Sequence, residues 1–155
     1  MFRISLLLLL LLASLPAFAA KSRYVDVVDY PSKEFALDRF DELRERLNRS
    51  FDFICGDTFC EGDYSNLRSI RFTCSADSRK GYMQECLWTF FGSYDEVLPA
   101  TGEVTTNSHF FQCRIPLAPR TPVEDFYSAL EASDPMEAPL PGTGVPIYEV
   151  LTECL

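Results

Sequence analysis

The 155-residue sequence predicts an α+β fold: an N-terminal helix and two C-terminal helices packed on one face of a three-stranded antiparallel β-meander, the whole stapled by disulfides. Three observations lead there. A charged segment early in the chain carries apolar residues at three- and four-residue steps. The middle third alternates apolar and polar residues between two turn signals. Six cysteines follow an export-type leader.

The leader is "MFRISLLLLLLLASLPAFAA", with one basic residue (Arg3), a leucine run, and Ala-Phe-Ala before Ala20. That is the pattern of a bacterial Sec signal peptide, with cleavage expected after Ala19 or Ala20. An uncleaved anchor is opposed by the shortness of the apolar run and by Pro16. The expected organisation is a cleaved signal at 1–20 and a single secreted or periplasmic domain at 21–155, of a size for one hydrophobic core and with no membrane contact after cleavage.

The first helix should run from a cap at Ser32 to about Ser50, with Ala36, Phe40, Leu43, Leu47 and Phe51 forming its apolar stripe. Glu42 with Arg46 and Glu45 with Arg49 stand at the favourable four-residue offset, so the charged remainder reads as a solvated face. The Asn48-Arg49-Ser50 sequon, late in this helix and behind a bacterial-type signal, is read as incidental.

The meander occupies "SIRFTCSADSRKGYMQECLWTFFGSY" and the strand after it. Gly81 suits the left-handed position of a short loop through Arg79 and Lys80. With Lys80 at its centre, Ile70 faces Phe90, Phe72 faces Trp88 and Cys74 faces Cys86. Such like-with-like pairing sets the register, because a one-residue slip would turn the whole apolar set outward. A second turn at 99–102 then places Phe111 opposite Phe90 and Cys113 opposite Trp88. Ile70, Phe72, Cys74, Cys86, Trp88, Phe90, Phe111, Cys113 and Ile115 make up the expected core face. The other face mixes Arg71, Thr73, Thr89, Gln112 and Arg114 with Leu87, Phe91 and Phe110.

"TPVE" at Thr121 reads as a capping box opening a helix with Val123, Phe126, Tyr127 and Leu130 on one side. Residues 133–146, rich in proline and glycine, should form an extended surface connection. Pro146 should start a terminal helix that turns Ile147, Val150, Leu151 and Cys154 to the core.

In an oxidising compartment the six cysteines, Cys55, Cys60, Cys74, Cys86, Cys113 and Cys154, are expected as bridges. Cys55 can close locally on Cys60, the hairpin register opposes Cys74 to Cys86, and Cys113 is left for Cys154. A two-residue shift of the second hairpin would instead oppose Cys86 to Cys113. In "CGDTFCEGD" the four residues between the cysteines exclude a thioredoxin-type motif, and the later spacings match no zinc pattern. Its carboxylates Asp57, Glu61 and Asp63 form a polar turn or, alternatively, oxygen ligands for calcium.

The chain carries a formal charge of −9, and loss of Arg3 with the leader leaves 23 acids against 13 bases. Such a surface repels phosphate backbones, which excludes ordinary nucleic-acid binding and leaves cationic partners open. Catalytic signals are thin. The one histidine, His109, is tied to no serine or acid by any signature, and no phosphate loop, helical zinc motif or EF-hand occurs. No cofactor is implied. The leading expectation is a non-catalytic binding or inhibitory module acting on an envelope or extracellular protein or peptide. The alternative is a small hydrolase built on Asp57, Glu61 and Asp63 or on His109, or a calcium-binding protein using those three carboxylates.

Overall fold

A computed structural model describes residues 23–56, 58–62, 64–131 and 134–155; the leader expected at 1–20 lies outside the described residues. The elements are β1 (Tyr24–Asp26), α1 (Lys33–Cys55), β2 (Arg68–Asp77), β3 (Met83–Val97), β4 (Val104–Ile115), α2 (Val123–Leu130) and α3 (Ile147–Cys154). The class is α+β, but the antiparallel sheet has four strands, ordered β1-β2-β3-β4, where three were expected. The extra strand lies in the lead before α1, where Tyr24, Val25 and Asp26 pair with Asp77, Ala76 and Ser75. So short a strand shows no alternation by which a sequence pattern could mark it.

The apolar stripe of α1 is buried from Ala36 through Phe51, and the helix runs past its expected end at Ser50 to Cys55. Phe51 and Cys55 continue the stripe, and no helix breaker comes before Gly56. The stripe lies on the inner face of the sheet: Phe40 stacks on Phe72 at 5.8 Å between ring centroids, and Phe51 meets Phe90 at 4.8 Å and Trp88 at 6.0 Å. Ser32 precedes the helix in extended backbone, yet its hydroxyl makes no capping bond. Arg39 ties α1 to α2. Its guanidinium sits 4.1 Å from the centroid of the Tyr127 ring and bonds Glu124 at 2.7 Å and Glu131 at 3.0 Å. These bonds hold the Glu131 carboxyl below the usual carboxylate range, and burial pushes the Tyr127 hydroxyl up to about 12.

Between β2 and β3, Phe72 faces Trp88 and Cys74 faces Cys86, but Ser69 rather than Ile70 stands opposite Phe90. Ile70 is the extra residue of a bulge and is 56% exposed, so it leaves the core face assigned to it. The reason is polar. Trp88 is fully buried, and its indole N–H donates to the Ser69 hydroxyl at 2.8 Å, which in turn donates to Asn48 Oδ1 at 2.7 Å. The bulge turns a serine inward where strict alternation would have placed isoleucine. At the hairpin tip Gly81 has φ +68°, and its N–H donates to the Asp77 carbonyl at 2.9 Å.

β3 and β4 pair without a register shift from Cys86 with Ile115 to Val97 with Val104, including Trp88 with Cys113 and Phe90 with Phe111. The capping box does not form: α2 begins at Val123 with Pro122 as its cap residue, and Thr121 Oγ1 donates back to the Ala118 carbonyl at 2.8 Å. Glu124 is drawn to Arg39 instead. Nor is the connection before α3 purely superficial, since Met136 and Leu140 are buried in the same core cluster as the buried faces of α1, α2 and α3. Proline and glycine describe its backbone, but the two large apolar side chains decide where it lies.

Disulfides join Cys55 to Cys60, Cys74 to Cys86 and Cys113 to Cys154. The last fastens α3 to β4 across a sequence separation of 41, against 5 for the first. Loop entropy alone assigns about 4 kcal/mol to the longer closure and about 2 kcal/mol to the shorter. Paired substitution Cys113→Ala with Cys154→Ala should therefore lower the urea midpoint about twice as far as Cys55→Ala with Cys60→Ala. Equal midpoints at equal slope would show that α3 is held by packing alone.

Candidate binding site: a free strand edge beside an aromatic cleft

At the end of α1 the Cys55–Cys60 bridge folds the chain back into a 3-10 turn at Phe59–Glu61, where Phe59 stacks on Phe51 at 5.8 Å and meets Tyr148 of α3 at 5.7 Å. Thr58 Oγ1 closes the turn by donating to the Ile54 carbonyl at 2.9 Å. Of the three carboxylates of "CGDTFCEGD", Glu61 is exposed, while Asp57 and Asp63 lie outside the described residues. Among the described residues no three histidine, cysteine or acidic side chains group closely enough to hold a metal ion. Two of the three ligands of the calcium alternative, Asp57 and Asp63, lie outside that set.

The chain leaving this turn passes over the far end of β3. Tyr64 lies on Gly92 so closely that an added Cβ there would come within 2.8 Å of Tyr64 Cβ and 3.0 Å of its Cγ. A residue without a side chain is what lets the loop approach the strand. Asn66 then uses the free side of β3, its N–H donating to the Ser93 carbonyl at 3.2 Å and its amide Nδ2 to the Ser93 hydroxyl at 3.1 Å. Tyr64 packs edge-on against Phe111 at 5.5 Å and Tyr94 at 6.1 Å. Beside them Phe59, Gly62, Tyr64, Leu67, Phe111 and Leu155 line a cleft of about 480 Å³, within the size range of small ligand sites and largely apolar in composition.

His109 projects on the same face, paired across the ladder with Gly92, with its ring 4.6 Å from that of Phe111 and 6.0 Å from Tyr64. Its partners among the described residues are rings, and no described carboxylate or hydroxyl is hydrogen-bonded to it. Nothing here orients it as a general base, which a nucleophilic site would require. The geometry therefore gives the hydrolase alternative no support at His109.

β4 borders this cleft and forms one edge of the sheet. The Leu98 N–H donates to the Glu103 carbonyl at 2.8 Å, which sets the phase of the β3–β4 ladder. Hydrogen-bonded pairs alternate from there, so Thr105, Asn107, His109 and Phe111 bond to β3, while the N–H and C=O groups of Thr106, Ser108, Phe110 and Gln112 point away from it. The acceptance of the Asn66 N–H by Ser93, on the opposite side of β3, fits the same phase. No backbone bond joins β4 to any described segment other than β3.

Exposed sheet edges are ordinarily blocked by charge, proline, bulges or brevity. The other edge has such blocks: β1 is three residues long, and the part of β2 beyond it carries Arg68, Arg71 and the Ile70 bulge. From Val104 to Cys113, β4 has no charged residue, no proline and no register shift. It also carries exposed apolar side chains, Val104 at 63% and Phe110 at 62%. No catalytic or metal-binding motif marks this surface in the sequence. Its one advance sign was the run "VTTNSHFFQC" itself, ten residues without a charge in a chain so rich in carboxylates.

Comparison with known proteins found no matching family model, no matching curated protein and no matching solved structure. Function is accordingly read from the geometry of the edge and cleft.

If Tyr64 shapes the cleft through its contact with Gly92, Gly92→Ala should displace it while the β3–β4 ladder stays intact. The cost expected of such overpacking is about 1–3 kcal/mol, with loss of the Tyr64–Phe111 ring contact detectable as a shift in the Phe111 ring resonances. A variant as stable as the parent, with those resonances unmoved, would show that the loop does not rest on the strand.

Proposed function

We propose that this protein is an exported, non-catalytic binding module that captures an extended polypeptide segment as an additional strand on β4. Export is supported by the Sec-type leader and by three disulfides; among the described residues no helix is long and apolar enough to cross a membrane. The observation that carries the reading is the unblocked edge of β4. Strand addition draws affinity from main-chain hydrogen bonds and selectivity from alternate side chains. Here one set of side chains would fall beside Phe111 and the aromatic cleft, the other beside Phe110 on the outer face. The occupant is an extended segment with apolar or aromatic residues at alternating positions and basic residues at its flanks, because the chain it meets has a formal charge of −9. An envelope or extracellular protein could supply such a segment, and the result would be binding or inhibition without chemistry on the ligand.

Ser108→Pro isolates the contribution of the edge. The Ser108 N–H points outward, so proline there removes a donor that the β3–β4 ladder does not use, a position proline tolerates in edge strands. Peptides selected from a displayed library against the disulfide-intact chain should bind about tenfold more weakly to this variant, at an unchanged melting temperature. Selected peptides that bind parent and variant equally, or a library that yields none, would overturn the proposal. Concentration-dependent dimerisation abolished by Ser108→Pro would assign the edge to a second copy of the chain and equally refute the peptide reading.

A further inference from the structure

At the end of β3 nearest the first hairpin, the turn of that hairpin meets the segment entering α2 around an open pocket of about 370 Å³. Three cationic side chains, Arg23, Lys80 and Arg120, line it against one carboxylate, Asp77. Asp77 is already engaged: it accepts the N–H groups of Arg79 at 2.9 Å and Lys80 at 3.1 Å, and Arg23 Nε at 3.3 Å. The side chains of Lys80 and Arg120 pair with no described carboxylate. A pocket with surplus positive charge thus sits on a strongly acidic chain, where unspecific surface composition would favour the opposite sign.

Arg120 supplies an independent observation. Its φ is +65°, the left-handed region that glycine enters freely and an arginine enters at a cost to the backbone. Every other positive-φ position among the described residues is glycine, as at Gly81 and Gly102. The Ala118–Thr121 turn, closed by the Thr121 N–H on the Ala118 carbonyl at 3.2 Å, holds Arg120 in this conformation at the wall of the pocket. Strain of this kind is retained where a side chain is needed at that place.

We infer that this pocket binds a carboxylate carried on an apolar body. The guanidinium groups of Arg23 and Arg120 have the planar donor geometry that suits a carboxylate, and Lys80 adds a point charge. Met83, Leu117 and Pro119 supply the apolar wall. Asp77 acts as a positioning residue, orienting Arg23 and fixing the backbone of the turn that carries Lys80. A free organic acid and the C-terminal carboxylate of a polypeptide share this chemistry. The site is separate from the β4 edge and does not rest on the strand-addition reading.

The test uses the disulfide-intact chain, isotope-labelled and titrated with N-acetyl-leucine, its amide N-acetyl-leucinamide, acetate and inorganic phosphate. N-acetyl-leucine should saturate at millimolar concentration and shift the amides of residues 80–84 and those of Leu117, Ala118, Arg120 and Thr121, while N-acetyl-leucinamide leaves them in place. Arg120→Gly should weaken binding by about tenfold while the melting temperature stays level or rises, since glycine relieves the backbone. A peptide ending in a leucine carboxylate that binds more tightly than N-acetyl-leucine would support the site and identify a chain terminus as its source; equal affinity would support it with a free acid as source. Saturation by the amide, affinity for acetate or phosphate equal to that for N-acetyl-leucine, or unchanged affinity in Arg120→Gly would each overturn the inference.

Discussion

The contact between the apolar stripe of α1 and the Phe72–Trp88–Phe90 layer of the sheet organises the rest of the molecule. Phe40, Leu43, Leu47 and Phe51 are essentially inaccessible, as are Trp88 and Phe90. Each such side chain contributes about 1.5–3 kcal/mol by burial, so this layer is the main source of stability in a chain of this size. It also dictates what remains uncovered. A helix of 23 residues spans about 35 Å, whereas a strand of 15 residues spans about 50 Å, so β3 outruns the helix that covers it. The surplus of β3 and its partner β4 projects as a two-stranded arm, beyond β2, which starts opposite Phe91.

The proposed binding surface lies on this arm. The Cys55–Cys60 turn, the Tyr64 loop and α3 shield part of its inner face, and these leave a cleft rather than a filled core. Cys113–Cys154 anchors the root of β4 beside the core, so the edge beyond it is presented from a fixed base. A binding surface on a rigid scaffold loses less entropy on complex formation than a mobile loop would. The blocked edge on the other side of the sheet makes the contrast at β4 informative: the devices that suppress strand pairing are present in this protein and are missing from the Val104–Cys113 stretch of β4.

Much of this fold could be read in advance wherever one periodicity governed a long segment. The stripe of α1, both hairpin registers about Trp88, and the inward side of α3 follow from spacing alone. The failures have local causes. Alternation places Ile70 inward, but the buried indole N–H of Trp88 requires an acceptor and the bulge supplies Ser69. β1 was too short to show a pattern, and the capping box at Thr121 lost Glu124 to Arg39, a partner from another element. The proline and glycine of 133–146 predict a superficial connection, whereas the side chains of Met136 and Leu140 are buried. The candidate surfaces were harder still to see. An unpaired edge is a property of sheet order, and the pocket at Arg120 joins segments that are distant in the chain. Two of the three carboxylates of "CGDTFCEGD", Asp57 and Asp63, fall outside the described residues, and His109 contributes a ring to an aromatic cluster.

The central claim is that β4 is bonded on one side only, and amide hydrogen exchange on the free, disulfide-intact chain measures that directly. Protection should alternate along the strand, high for the amides of Thr105, Asn107, His109 and Phe111, which donate to β3, and low for those of Thr106, Ser108, Phe110 and Gln112, which face solvent. Uniform protection along β4 would show that another segment or a second copy already occupies the edge, and would contradict the claim that it stands open to a partner.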